Sequence, residues 1–189
     1  MILTVGRIIL APVFFVLYQA AGSGHIVLIA ALWAVFALIE ISDLLDGHFA
    51  RTMNQESEIG KVLDPFADSI SRLTYFVCFA GSGFLPAWIL LVLIYRDVGV
   101  SYIRIMASSK GTMFSARLSG KVKAWVYAFG GGAGLALFTL SKLPVFGSYG
   151  AFADKAALIF FFVVAATAVW SLVDYTVAYF KNRSKLVDK

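Results

Sequence analysis

SDLLDGHFAR (Ser42–Arg51) and LDPFADSISR (Leu63–Arg72) are the two most informative stretches of this sequence. Each places a pair of aspartates beside a long apolar run, and the pairs are Asp43 with Asp46 and Asp64 with Asp68. Residues three or four apart share one face of a helix, so each pair presents its two carboxylates together. Acidic groups at the level of membrane-length segments cost free energy, and their presence therefore indicates a function.

The composition is that of a membrane protein. Of the 189 residues, 60% are hydrophobic, and the mean hydropathy is +0.85. A soluble domain of this size cannot bury so much apolar surface, so we expect lipid to cover much of it. The single cysteine, Cys78, cannot form an intrachain disulfide. The apolar stretch after Arg7 lacks a small-residue cleavage site, which favours a retained membrane helix over a signal peptide.

The apolar runs predict an all-α integral membrane protein with six transmembrane helices, because about 20 apolar residues are needed to span a bilayer. The predicted spans are Ile8–Ala21 (extended back through Met1), Ile26–Leu45, Val62–Gly81, Pro86–Met106, Val122–Leu140 and Ala156–Phe180. No repeat or linker divides residues 1–189, so we expect a single domain. The Gly-rich stretch Phe129–Gly134 is predicted to let two helices approach closely rather than to bind phosphate.

Lysine and arginine are concentrated at alternate ends of the predicted helices, in residues 47–61, 107–123 and 181–189. The positive-inside rule makes that side cytoplasmic and puts both termini there. The four aspartates lie at the same level. We therefore predict a protein of the bacterial inner (cytoplasmic) membrane, with its active site on the cytoplasmic side, membrane lipids as partners and no nucleic-acid partner.

The two aspartate pairs are predicted to face each other. A continuous helix from Asp46 to Asp64 would separate the two pairs by about 27 Å. The polar residues 54–57 and Gly60 favour a turn instead. Gly47 is expected to end the first helix or to admit a ligand close to the backbone. Pro65 is expected in the first turn of the second helix.

Four ionised carboxylates brought together repel one another strongly and need compensating positive charge. Two divalent cations would balance them, and all-oxygen ligands favour Mg²⁺, Mn²⁺ or Ca²⁺ over zinc. The alternative is that the aspartates form ion pairs with Arg51, Arg72 and Arg96.

The fixed positions of the two stretches form one longer pattern, Asp43-x2-Asp46-Gly47-x2-Ala50-Arg51-x8-Gly60-x3-Asp64-x3-Asp68. This pattern resembles the complete signature of the CDP-alcohol phosphotransferases, and all of its specified positions are filled. The six predicted helices agree with that family over nearly the whole chain.

The resemblance implies an enzyme with two divalent cations, Mg²⁺ or Mn²⁺, bound by Asp43, Asp46, Asp64 and Asp68. The cations hold the pyrophosphate of a CDP-linked donor, and CMP is the leaving group. Asp68 is also implied as the general base that takes the proton of the acceptor hydroxyl. The positions implied to contact the CDP part of the donor are Gly47, Ala50, Arg51 and Gly60. A homodimer is implied as well.

Other features resemble the phosphatidylglycerophosphate synthases, which use CDP-diacylglycerol as donor and glycerol 3-phosphate as acceptor. They are Leu85–Trp88, Arg96 with Asp97, Arg104 and Gly120–Lys123. An anionic acceptor needs cations, and the predicted acceptor-phosphate ligands are Arg104, Arg117, Lys121 and Lys123. The alternative is that these cations only anchor helix ends at the lipid headgroups.

Two other functions stay open. A phosphatidylinositol-phosphate synthase would suit the same cations. An ion-coupled membrane transporter is the alternative from another class, because intramembrane acids often mark ion paths. The position of the aspartates at helix ends on one side favours chemistry on a lipid headgroup.

Four further positions bear on the site. Thr4 and Arg7 are similar to a T-x-x-R near the start of related synthases. Glu40, one turn before Asp43, is expected either to support that aspartate or to be buried and protonated. Ser69 stands where the family commonly has lysine.

Overall fold

The computed structural model describes the backbone of residues 2–53, 58–108, 117–142 and 150–187, and the side chains of residues 4–45, 63–107, 117–142 and 155–181. Within these ranges every regular element is an α-helix. The helices are α1 (Ile2–Ala21), α2 (Ile26–Met53), α3 (Glu58–Gly81), α4 (Ala87–Ser108), α5 (Leu118–Lys142) and α6 (Gly150–Val187). The prediction of an all-α chain with six helices is confirmed.

Four of these helices are long and apolar enough to cross a membrane, namely α1, α2, α5 and α6. The other two are interrupted by charged residues: α3 carries Asp64, Asp68 and Arg72, and α4 carries Arg96 and Asp97 among others. The structure thus supports a membrane protein, and the count of six spans stays a prediction.

The ends of α2 and α3 differ from the sequence-based expectation. Helix α2 runs through Gly47 to Met53, so Gly47 does not end it. Helix α3 begins at Glu58, so Pro65 lies inside the helix and not in its first turn. A glycine in a helix costs only about 1 kcal/mol, and a long helix tolerates that. Helices α2 and α3 are nevertheless separate elements, so the two aspartate pairs are on separate helices, as predicted.

Small residues on α5 allow the close packing around which the core is built. A Cβ atom added to Gly131 would lie 2.9 Å from the Tyr75 ring, and one added to Gly134 would collide with the Phe79 ring. The rings next to these two glycines come from α2 and α3, namely Phe36, Tyr75 and Phe79. The prediction that the Gly-rich stretch serves helix packing is confirmed.

Helix α4 buries two charged residues and exposes large apolar ones. Arg96 and Asp97 are buried against α5 and α6. The exposed side carries large apolar and aromatic residues, including Trp88, Leu91, Tyr95, Val98, Tyr102 and Ile105. A helix with charges inward and an apolar outer face is suited to lipid.

Candidate active site

Helices α2 and α3 bring three of the four signature aspartates to one cavity of about 300 Å³. Asp43 comes from α2, and Asp64 and Asp68, one turn apart, come from α3. The side chains of Asp43 and Asp68 keep 30% and 28% of their surface exposed, so they are open to a ligand. The expectation that the two pairs face each other holds for these three residues.

The remaining signature positions lie outside the described side chains. They are Asp46, Gly47, Ala50, Arg51 and Gly60. Their predicted roles, metal binding for Asp46 and donor binding for the others, stay predictions.

Helix α1 supplies two buried partners for these carboxylates. The Thr4 hydroxyl donates to Asp64 Oδ1 at 2.7 Å, and the Arg7 guanidinium donates to Asp43. Both α1 side chains are almost fully buried, at 1% and 2% exposure. The T-x-x-R pattern was thus a usable signal, since its two polar residues each contact one aspartate of the site.

A buried arginine on α3 joins the two aspartate-bearing helices. Arg72 Nη2 donates to Asp43 Oδ2 at 2.8 Å, and Arg72 Nη1 forms an ion pair with Asp68 Oδ1 at 2.6 Å. Glu40 lies 3.8 Å from the same guanidinium. Glu40 therefore belongs to the same ion cluster as Asp43 and Asp68.

The alternative of arginine pairing is realised in part. Arg72 pairs with two signature aspartates, whereas Arg96 pairs with Asp97, and Arg51 lies outside the described side chains. Two guanidiniums, those of Arg7 and Arg72, face the four described carboxylates of Glu40 and the three aspartates, so negative charge remains in excess. The protein's own cations reduce the repulsion without removing it.

The donor set fits a hard divalent cation, because it consists of carboxylate and hydroxyl oxygens. Among the side chains that the structure describes, no three His, Cys, Asp or Glu residues are grouped closely enough to hold a metal ion. Asp46 lies outside that set. The described carboxylates are thus an incomplete part of the predicted ligand set.

The part of the cavity lining that comes from α4 and α5 is cationic, and we call it the cationic wall. Arg96 and Arg104 from α4 and Lys123 from α5 line it, together with Gly120. Of the four predicted acceptor-phosphate ligands, Arg104 and Lys123 therefore line the same cavity as the aspartates. A cavity lined by carboxylates and by cations can hold a ligand that carries both bound metal cations and phosphate groups.

The other two predicted acceptor ligands lie elsewhere. Arg117 forms a two-point ion pair with Asp174 of α6, at 2.7 Å from Nε and 2.6 Å from Nη2. Lys121 is exposed. Neither belongs to the described lining of the cavity.

Lys123 is held by a buried ion cluster. Its Nζ lies 3.0 Å from Asp97 Oδ1, and Arg96 Nη1 donates to the same oxygen at 2.8 Å. Arg96 also donates to Ser171 Oγ at 2.7 Å, so the cluster ties α4 to both α5 and α6. The cluster holds two cations and one carboxylate, and both cations belong to residues that line the cavity.

Sequence reasoning missed Asp174 and Tyr175. Asp174 pairs with Arg117, and the Tyr175 hydroxyl accepts a hydrogen bond from Arg104 at 2.8 Å. An aspartate within an apolar run of α6 was a signal that could have been used, because such a carboxylate requires a partner. No pattern in the sequence pointed to Tyr175.

These observations define a class of protein: a helical membrane protein with a polar cavity that is lined by both carboxylates and cations. The family follows from comparison with known proteins. Residues 1–180 match the CDP-alcohol phosphatidyltransferases, and the chain belongs to this family of transferase enzymes.

Two similar proteins share one name. The chain is similar to the CDP-diacylglycerol–glycerol-3-phosphate 3-phosphatidyltransferase of Treponema pallidum (strain Nichols), with 35% identity over 144 residues that cover 71% of this chain and 64% of the relative. The enzyme of the same name from Bacillus subtilis (strain 168) is 29% identical over 132 residues, covering 65% of this chain and 68% of the relative.

A third relative carries a different name. The cardiolipin synthase (CMP-forming) of Streptomyces coelicolor is 45% identical over 67 residues, which cover 34% of this chain and 31% of the relative. The match to the Treponema enzyme spans slightly less than two thirds of that relative's length.

Proposed function

We propose that this protein transfers a phosphatidyl group from CDP-diacylglycerol to glycerol 3-phosphate, giving phosphatidylglycerophosphate and CMP, in phospholipid biosynthesis. One observation carries the proposal: Asp43, Asp64 and Asp68 line a single cavity that is also lined by Arg96, Arg104 and Lys123. The carboxylates could hold the anionic pyrophosphate of the donor through divalent cations, and the cationic wall could bind the phosphate of the acceptor directly. The names of the relatives from Treponema and Bacillus support the choice of substrates.

The metal dependence is part of the proposal. Two divalent cations, Mg²⁺ or Mn²⁺, would be held by Asp43, Asp46, Asp64 and Asp68. The oxygen-only donor set and the excess of carboxylates over guanidiniums support this. Bound there, the cations would neutralise the donor pyrophosphate and the charge that develops on departing CMP.

The reaction needs one proton acceptor, and we assign that role to Asp68. The acceptor hydroxyl gives its proton to the Asp68 carboxylate while its oxygen forms a bond to the lipid-side phosphorus of the donor. The bond from that phosphorus to the CMP oxygen breaks, and CMP leaves with the electron pair. Arg72 Nη1 forms an ion pair with Oδ1 of Asp68 at 2.6 Å.

Donor binding is proposed for Gly47, Ala50, Arg51 and Gly60, on the strength of the family signature. The acceptor phosphate is proposed to bind at the cationic wall, through Arg104 in particular. Arginine matches a phosphate group with paired N–H donors, so it is better suited than lysine to fix one orientation.

The acceptor distinguishes this proposal from its alternative within the family. A phosphatidylinositol-phosphate synthase would use the same wall for a different phosphorylated alcohol. Purified protein should be given CDP-diacylglycerol and Mg²⁺ with glycerol 3-phosphate, inositol phosphate, inositol or choline, and CMP release should be compared. Preference for inositol phosphate would keep the cavity assignment and change the acceptor, whereas preference for an uncharged alcohol would overturn the role of the cations.

We also propose six membrane spans, with both termini and the aspartates on the cytoplasmic side of a bacterial inner membrane. The charges of α4 point inward and its outer face is apolar, so it suits a lipid environment despite Arg96 and Asp97. The family assignment favours an enzyme over an ion-coupled transporter, because the family consists of transferases.

A homodimer is proposed from the family resemblance alone. The described helices have exposed apolar faces, and either lipid or a second copy could cover them. A strictly monomeric mass, both in mild detergent and in bilayers, would contradict the dimer.

A further inference from the structure

Tyr175 of α6 lies directly behind the cationic wall of the cavity and touches Arg104. The tyrosine is fully buried, at 0% exposure. Its hydroxyl accepts a hydrogen bond from Arg104 Nη2 at 2.8 Å, and the centre of its ring lies 5.2 Å from Arg104 Cζ. The ring and the hydroxyl thus hold the guanidinium at two points, by a cation–π contact and by a hydrogen bond.

Residues at the start of α5 lie close to the same hydroxyl. The backbone N–H of Arg117 points to it at 3.4 Å. A Cβ atom added to Gly120, which lines the cavity, would lie 2.8 Å from the hydroxyl oxygen and 3.4 Å from the nearest ring carbon. The chain therefore needs glycine at this position if the tyrosine hydroxyl is to stay beside Arg104.

We propose that Tyr175 is a positioning residue that holds the Arg104 guanidinium at the cavity wall and so sets the affinity for a phosphorylated acceptor. The inference rests on the proposed function, because it takes the Arg104 ligand to be the acceptor phosphate. A free arginine side chain samples many rotamers, and ordering it on binding weakens affinity. Tyr175 removes that cost by ordering the side chain beforehand.

The chain offers a matched control for the test. Tyr179 lies one turn further along α6 and is also buried, at 8% exposure. Its hydroxyl has no hydrogen-bond partner among the side chains and backbone that the structure describes. Tyr175→Phe and Tyr179→Phe therefore delete the same atom from the same helix, and the first deletion alone removes a contact to Arg104.

The kinetic test measures KM for acceptor and donor separately, with glycerol 3-phosphate and CDP-diacylglycerol. Tyr175→Phe should raise the acceptor KM by about 5- to 30-fold and leave the donor KM and kcat nearly unchanged. Tyr179→Phe should leave both KM values near those of the wild type. An acceptor KM in Tyr175→Phe equal to that of Tyr179→Phe would overturn the positioning role.

Gly120→Ala gives a second, independent test that keeps Tyr175 in place. In the wild-type background the added methyl group displaces the hydroxyl, so the acceptor KM should rise. With the hydroxyl already removed by Tyr175→Phe, the same change should add little, so the two effects should not multiply. Multiplying effects would contradict the proposal. If the wild-type protein turns over no phosphorylated acceptor at all, the proposed function falls first and this inference with it.

Discussion

Arg72 Nη1 lies 2.6 Å from Asp68 Oδ1, one helical turn away on α3, and the same guanidinium reaches Asp43 on α2 at 2.8 Å. The arginine is 4% exposed. A single buried cation therefore links the proposed base to a proposed metal ligand on another helix. The repulsion expected among the signature aspartates is partly relieved by the protein itself, and the remaining negative charge is what a divalent cation would neutralise.

Asp68→Asn should abolish most turnover while leaving CDP-diacylglycerol binding largely intact. The amide cannot accept the proton of the acceptor hydroxyl, and loss of a general base typically costs about 10²- to 10⁴-fold in rate. CMP release measures the rate, and binding of the CDP-lipid to the purified variant measures the donor site. Turnover close to that of the wild type would reject Asp68 as the base.

Arg104→Ala should raise the KM for glycerol 3-phosphate with little change in the KM for the donor. A charge-assisted contact to phosphate is worth about 1.5–3 kcal/mol, which corresponds to about a 10- to 150-fold change. Arg117→Ala is the comparison, because Arg117 pairs with Asp174 and does not belong to the described cavity lining. An equal or larger effect of Arg117→Ala would place the acceptor phosphate elsewhere.

Asp97→Asn should destabilise the fold. Asp97 is 2% exposed and compensates the buried Lys123, which would lose its partner. Removing one member of a buried ion pair costs about 3–5 kcal/mol. Denaturation of the variant in detergent measures the loss of stability.

The control for that prediction is Asp174→Asn. Asp174 pairs with Arg117, but the two side chains are 25% and 38% exposed. Exposed pairs contribute about 0–1 kcal/mol, so this variant should unfold close to the wild type. Equal destabilisation by the two substitutions would contradict the prediction that the buried Asp97 cluster stabilises the fold more than the exposed Asp174 pair does.

The topology predicts that the C-terminal tail faces the cytoplasm and that the turn between α1 and α2 faces the other side. An engineered cysteine replacing Ser184 should resist an impermeant thiol reagent added to intact cells, and one replacing Ser23 should react. The native Cys78 is buried and should give little background. Reaction of the tail cysteine from outside would overturn the orientation.

The sequence was sufficient to predict the helical class and the residues that form one wall of the cavity. Apolar runs of membrane length predicted the number of helices. The i,i+4 spacing predicted that Asp64 and Asp68 share one helix face. Of the two roles expected for Gly47, ending α2 is wrong, because a single glycine costs little in a helix. Pro65 was likewise placed too near the start of α3, which begins at Glu58.

The second wall was harder to predict because its contacts join residues far apart in the chain. Arg104 meets Tyr175 across a separation of 71 residues, and Arg117 meets Asp174 across 57. The sequence identified the cations but not the partners that hold them. Which of the cations reaches the cavity depends on how α4, α5 and α6 pack, and no local pattern encodes that packing.

The most direct test of the account is CMP release by purified protein supplied with CDP-diacylglycerol, glycerol 3-phosphate and Mg²⁺. The account predicts CMP and phosphatidylglycerophosphate in equal amounts, with no CMP when the acceptor is left out or the metal is removed by a chelator. Failure to release CMP with any alcohol acceptor, at any concentration of Mg²⁺ or Mn²⁺, would contradict it.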